Sequence, residues 1–247
     1  MFKFIKELLI DPIKEGIAEA KEELAAEAQE EELKQAKIAE EIAFTDHNEK
    51  LALSFAAPFR AVALEEYVSL FSYDEEDGEE KKLVLKLYKL GVLEEKETSA
   101  LAKLLERDFE IKERADVPIA LFAFNAAFSG KRPEDLDKAV DIEDFIDEFN
   151  YIEDKAHKAL SLSVCSYIIT SSIDIGYYQK EELLPVFDTF LEKAGCSFAN
   201  WQDFGLMFLL GDQTSGLNNF IGHKILKNVV DRLSKDPGSP WQNVLIK

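Results

Sequence analysis

The spacing of its apolar residues constrains this chain more than any other feature. They recur at steps of three and four, as in Phe2, Ile5, Leu9, Ile13 and Ile17, and again in Leu101, Leu104, Leu105 and Phe109. That spacing gathers them on one side of an α-helix, whereas a half-buried strand needs strict alternation. Alternation is nearly absent, and SLSVCSYII (161–169) is the one ambiguous run. The expected fold class is all-α, with roughly eight to ten helices and no internal repeat.

The pattern changes character along the 247 residues. From Glu19 to Glu41 the chain is almost wholly Ala, Glu, Lys, Gln and Leu, residues that lose little freedom in a helix. The apolar stripe thins there to alanines. Residues 1–46 therefore read as a charged amphipathic helical arm, with Pro12 at a first turn or a kink. Residues 47–247 read as a single multi-helix globular domain, long enough to bury a large core.

Within the domain, 48–71 reads as a helix interrupted at Pro58, and 73–80 as a solvated loop. The segment 81–93 carries Leu83, Leu87 and Leu90 at helical steps and stops at Gly91. An amphipathic helix follows over 94–116. The apolar stretch 117–133 has Pro118 placed for a first turn, Gly130 for a C-cap and Pro133 for a stop. Residues 134–178 read as two helices and a turn at Gly176, and 179–195 as a helix around Pro185. A last long helix is expected over 218–238.

Charge narrows the function. The 49 Asp and Glu against 29 Lys and Arg give a formal charge of -20. Such a surface repels phosphate backbones, which disfavours nucleic acid, and it favours encounter with a protein of basic surface. No run of about 18 apolar residues and no secretory h-region is present, so a cytoplasmic location is expected. Lys3 and Lys6 flank Phe2, Phe4 and Ile5, so residues 1–17 offer an alternative role as a tether to an anionic membrane. Glu7, Asp11 and Glu15 counter that charge. The two cysteines, Cys165 and Cys196, lie in separate apolar contexts and read as reduced core residues.

Motifs for chemistry are missing. His47, His157 and His223 have neither each other nor a cysteine at metal-ligand spacing. His157 follows Glu153 and Asp154 on one helix face, a surface pairing on so acidic a chain. Neither acidic run fits a calcium loop: with Gly78 sixth, Tyr73 and Val84 fall first and twelfth, and a start at Asp137 puts Ala139 third and Ile142 sixth. The carboxylates of 135–149 alternate with Leu136, Val140, Ile142, Phe145, Ile146 and Phe149, as on the wet face of a helix. No nucleophile elbow, phosphate loop or dinucleotide fingerprint occurs. No cofactor or metal is expected.

One stretch joins packing to a candidate site. In NWQDFGLMFLLG (200–211), Asn200 is placed as an N-cap and Asp203 in the favourable first turn. Trp201, Phe204, Phe208 and Gly211 share one face. Gly205 adjoins that face at about 1 kcal/mol relative to Ala, which a closely passing neighbour would explain. The stretch reads as a buried packing helix. Any ligand belongs just after it, at Asp212, Gln213, Thr214, Ser215, Asn218 and Asn219, where small polar residues precede a helix and could hold an anion. An ordinary helix–loop–helix turn accounts for the same residues and is the preferred reading.

Three further groups of residues carry a resemblance. They are Gly176-Tyr177 followed by Glu181-Glu182, then Trp201 with Gly205 and Gly211, then Ser239-Pro240-Trp241. In this order they resemble the bacterial family known as domain of unknown function 1266, over roughly 50–241. The earlier LYKLGVLEEKETSALAKLLERDF (87–109) is similar to the family's helix–turn–helix. The family often has Trp-Asp and arginines before the Gly-aromatic turn and Gly-Arg after the Trp-led helix. Here those places read Ala-His or Leu-Ser, and Gly211-Asp212. The resemblance implies a fold and a bacterial cytoplasmic setting, and transfers no catalytic residue.

The functional expectation is a non-catalytic, acidic protein-binding protein, such as a regulator or a toxin-neutralising partner of a basic protein. The alternative is an enzyme with acid–base work by Glu181, Asp203 or Asp212.

Overall fold

The computed structural model describes residues 11–66, 84–130, 141–194 and 197–246, with side chains from residue 23 onward. All regular structure among them is helical, as the apolar spacing requires. The start of the proposed tether (1–10), the loop 73–80, Leu83, Pro133 and Cys196 lie outside the described residues. The chain divides into two units, Met1–Phe44 and Thr45–Lys247.

The first unit holds α1 (Asp11–Phe44), one helix of 34 residues. Lys34 pairs with Glu30 one turn earlier at 2.9 Å, the favoured orientation for such a pair. Leu24, Leu33 and Phe44 are exposed.

The second unit comprises α2 (His47–Ala63), a 3-10 turn (Leu85–Leu87), α3 (Glu95–Phe109), α4 (Asp116–Ser129), α5 (Asp144–Tyr151), α6 (Lys155–Asp174), α7 (Lys180–Ala194), α8 (Trp201–Ser215), α9 (Phe220–Lys235) and α10 (Pro240–Asn243). Helix α6 is the axis of this unit. It packs against α2 and α8, with α3, α4 and α7 around it. Every residue from Ala159 to Ile173 is buried. The ambiguous SLSVCSYII is therefore the middle of a wholly buried helix, where amphipathic periodicity disappears. Several of its polar side chains find partners inside: Ser163 donates to the Phe55 carbonyl at 2.8 Å, and Thr170 to the Ser166 carbonyl at 2.7 Å. Asn125 of α4 accepts from Ser161 and donates to the Phe145 carbonyl, tying α4, α5 and α6 together.

The structure corrects three expected elements. Helix α2 is not interrupted at Pro58. A proline lacks the N–H that would bond the carbonyl four residues back, here that of Ser54. The Trp241 indole N–H donates to that carbonyl at 2.8 Å instead, so the helix runs on and the closing helix α10 is pinned to it.

The segment 81–93 is not a helix either: its described part holds only the short 3-10 turn. Three buried side chains take the bonds a helical ladder would have made. Arg60 Nε donates to the Lys86 carbonyl, Leu90 N–H donates to Glu49, and Gly91 N–H to Asp174, at 2.8, 2.6 and 2.7 Å. Arg60 and Asp174 also pair at 2.6 Å with both side chains fully buried. Gly91 has φ +72 but caps no α-helix. Finally, α3 stops at Phe109 rather than near 116, because Glu110 turns left-handed at φ 59 and lets Ile111 enter the core.

Candidate interaction surfaces

The inner face of α8 is where packing is tightest. Trp201, Phe204 and Phe208 are buried with Phe55 and Trp241, and the two indoles stack at 5.4 Å between centroids. Trp201 Nε1 donates to the Val244 carbonyl at 2.6 Å. A Cβ on Gly205 would lie 3.0 Å from a Trp241 ring carbon and 3.2 Å from Val230. A Cβ on Gly211 would lie 2.3 Å from the Ala156 carbonyl oxygen, so α6 and α8 touch backbone to backbone there. Asn200 caps the helix, accepting from Asp203 N–H at 2.9 Å.

The loop after α8 closes on its own carboxylate. Asp212 is 1% exposed. It accepts from Asn218 Nδ2 at 2.6 Å, and its other oxygen lies 2.6 Å from His223 Nδ1. Asn219 caps α9, accepting from the Ile221 and Gly222 amides. Ser215 donates to the Asp212 carbonyl, Thr214 to that of Leu210, and Gln213 is exposed. The Asn218 amide and the Ile221 and Gly222 N–H groups are thus turned onto Asp212 and Asn219, and a buried carboxyl group occupies the centre.

Asp203 sits on the opposite side of α8 from Asp212. Lys155 binds it at 2.8 Å, and that hydrogen bond, with one from Ala199 N–H, holds its carboxyl below the usual range. Glu181 lies exposed in the first turn of α7. The three carboxylates named for acid–base work do not form one centre.

His157 is 3.7 Å from Asp154, stacks on Phe128 and approaches Thr214. No group of three or more metal-ligating side chains occurs among the described residues. Burial pushes the Cys165 thiol up to about 12, which leaves it an inert core group. The Asp212–His223 pair escaped sequence reasoning because its members meet only through helix packing.

Grooves open between the packed helices of this unit. Between α5 and α7, a concavity of about 530 Å3 is lined by Ile146, Pro185, Val186 and Thr189 together with Glu143, Asp144 and Asp147, and Lys193 lies 3.9 Å from Asp147. A second, also about 530 Å3, runs over α2 and α6 between α3 and α9, with Phe59, Leu104, Phe124, Tyr167 and Leu226 in its walls. Burial raises the Tyr167 phenol to about 12.

A third surface is convex. Among the described residues, five of the eleven large apolar side chains found exposed are Leu206, Leu210, Leu217, Phe220 and Ile221, all within sixteen residues of α8, its loop and α9.

These observations define an all-helical protein whose described surface carries grooves and an exposed apolar face. The profile of a family described as a protein of unknown function (DUF1266) matches residues 14–245, and the chain belongs to that family. No curated protein matches it. No solved structure matches it. No described helix is long and apolar enough to cross a membrane.

Proposed function

We propose that this is a non-catalytic protein-binding protein of the cytoplasm, a regulator or toxin-neutralising partner whose target presents a basic surface. The α5–α7 groove carries this reading. It brings the apolar side chains of Ile146 and Val186 together with three carboxylates and one lysine, so it offers a basic residue both apolar contact for its stem and a charge to meet. The overall charge of -20 would speed that encounter at low salt.

The test is retention of a target from native lysate on the immobilised chain, repeated with Asp144→Lys and Asp147→Lys together. The reading expects retention that falls with salt and is lost in the double variant, while that variant still unfolds in a single cooperative transition. Equal retention by both chains would refute it.

A second reading rests on one observation. Asn218, which holds Asp212 beside His223, also lines the α3–α9 groove. A carboxylate–imidazole pair next to a groove suits acid–base chemistry. Turnover of any small ester or amide that is lost in His223→Gln would favour it over the binding role.

A further inference from the structure

The outer side of the α8–α9 hairpin has the apolar content of an interface and a local charge opposite in sign to that of the chain as a whole. On α8, Gln202, Leu206, Leu210 and Gln213 form one exposed stripe without a charge. Leu206 is 66% and Phe220 82% exposed. On α9, Lys224, Lys227, Arg232 and Lys235 stand against the single acid Asp231. The two helices run antiparallel, since Asp212 meets His223 while Gly205 meets Val230. That geometry lays Lys224 and Lys227 alongside the uncharged stripe.

We infer that this face is where two copies of the chain associate. Exposed apolar side chains in such a cluster mark a contact surface. Two molecules of charge -20 repel one another, and the repulsion is least where the local charge is neutral to positive. A basic partner, by contrast, would meet lysines here.

The face is also self-complementary, as a two-fold contact demands. Leu206 and Leu210 are one helical turn apart, so an axis between them sets Leu206 on Leu210 of the partner subunit. Lys224 and Asp231 lie two turns apart on the outer side of α9. An antiparallel approach sets each against the opposite charge. The inference is independent of the α5–α7 groove and of what that groove binds.

Sedimentation velocity on the full chain tests it, from about 1 to about 100 μM, a range that captures micromolar association. The runs are made at about 0.05 and about 0.5 M NaCl, across which the Debye length shrinks several-fold. The expected result is a dimer that tightens at the higher salt. Leu206→Ser, Leu210→Ser and Phe220→Ser combined should leave a monomer throughout, and Ile119→Ser, an exposed apolar residue on α4, should leave the dimer intact.

The inference is overturned by a wild-type monomer in both salts, or by a dimer that persists in the triple variant. It is equally overturned if the chain stays monomeric and floats with phosphatidylserine vesicles through the same three residues.

Discussion

Helix α8 spends apolar side chains on two opposite faces, and they differ in what they touch. Trp201, Phe204 and Phe208 on the inner face are stacked among aromatic rings, with Gly205 and Gly211 cut down to nothing where Trp241 and Ala156 approach. Leu206 and Leu210 on the outer face meet solvent. Both faces are apolar, but only the inner one is sterically filled. The inner face should therefore respond to volume and the outer face to polarity. Substitutions on the first should change stability, and on the second association.

The largest effect is expected at Gly211. Its substitution by Ala drives a methyl into a backbone carbonyl, which cannot swing aside as a side chain can. A loss of about 3 kcal/mol or more is expected by denaturant unfolding. A loss below about 0.5 kcal/mol, the range of ordinary surface changes, would mean that α6 and α8 do not touch there.

Trp241→Phe should cost about 2–4 kcal/mol, because it removes ring volume and leaves the Ser54 carbonyl, already without a partner at Pro58, buried and unbonded. Adding Pro58→Ala to that variant restores an N–H for Ser54, and recovery of part of the loss checks the assignment.

Gly205→Leu should destabilise by about 1–3 kcal/mol through overpacking against Trp241 and Val230. An unchanged melting temperature would show that this part of the inner face is open.

The smallest effect at neutral pH concerns phenols. Burial raises both Tyr88 and Tyr167, the second to about 12. A raised folded-state pKa means stability that is complete below the unfolded value of about 10 and is lost as pH rises through the folded value. Stability should therefore fall above about pH 10, and Tyr88→Phe should flatten part of that fall. An identical alkaline limb in the variant would contradict the burial of Tyr88.

Much of this contrast was legible in the chain itself. The all-α class, the placement of Asn200 and the gathering of Trp201, Phe204, Phe208 and Gly211 on one side follow from helical period alone. What escaped is what depends on distant partners. Pro58 looked like a break because the group that relieves it, Trp241, stands near the other end of the chain. The segment 81–93 looked helical because Leu87 and Leu90 keep the spacing, while the bonds that displace a helix come from Glu49, Arg60 and Asp174.

The pairing of Asp212 with His223 has no sequence signal, since the two stand on different helices and meet only when the loop between them folds back. The carboxylates of 135–149 read as one wet helix face, but Glu148 is buried, and the groove that Glu143, Asp144 and Asp147 line exists only once α7 is packed beside them. Periodicity reports which side of a helix is apolar. It does not report whether a second surface meets that side, and so Leu206 and Leu210 could not be told from core residues.

The most direct measurement is the melting temperature of Leu206→Ser with Leu210→Ser, taken beside Gly205→Leu at a concentration where the chain is monomeric. The account predicts a melt within about 1–2 °C of wild type for the double serine variant, in keeping with surface changes of at most about 0.5 kcal/mol, and a clear drop for Gly205→Leu. A drop for the double serine variant as large as that for Gly205→Leu would show that the outer face of α8 is part of the core, and would remove both the contrast and the interface built on it.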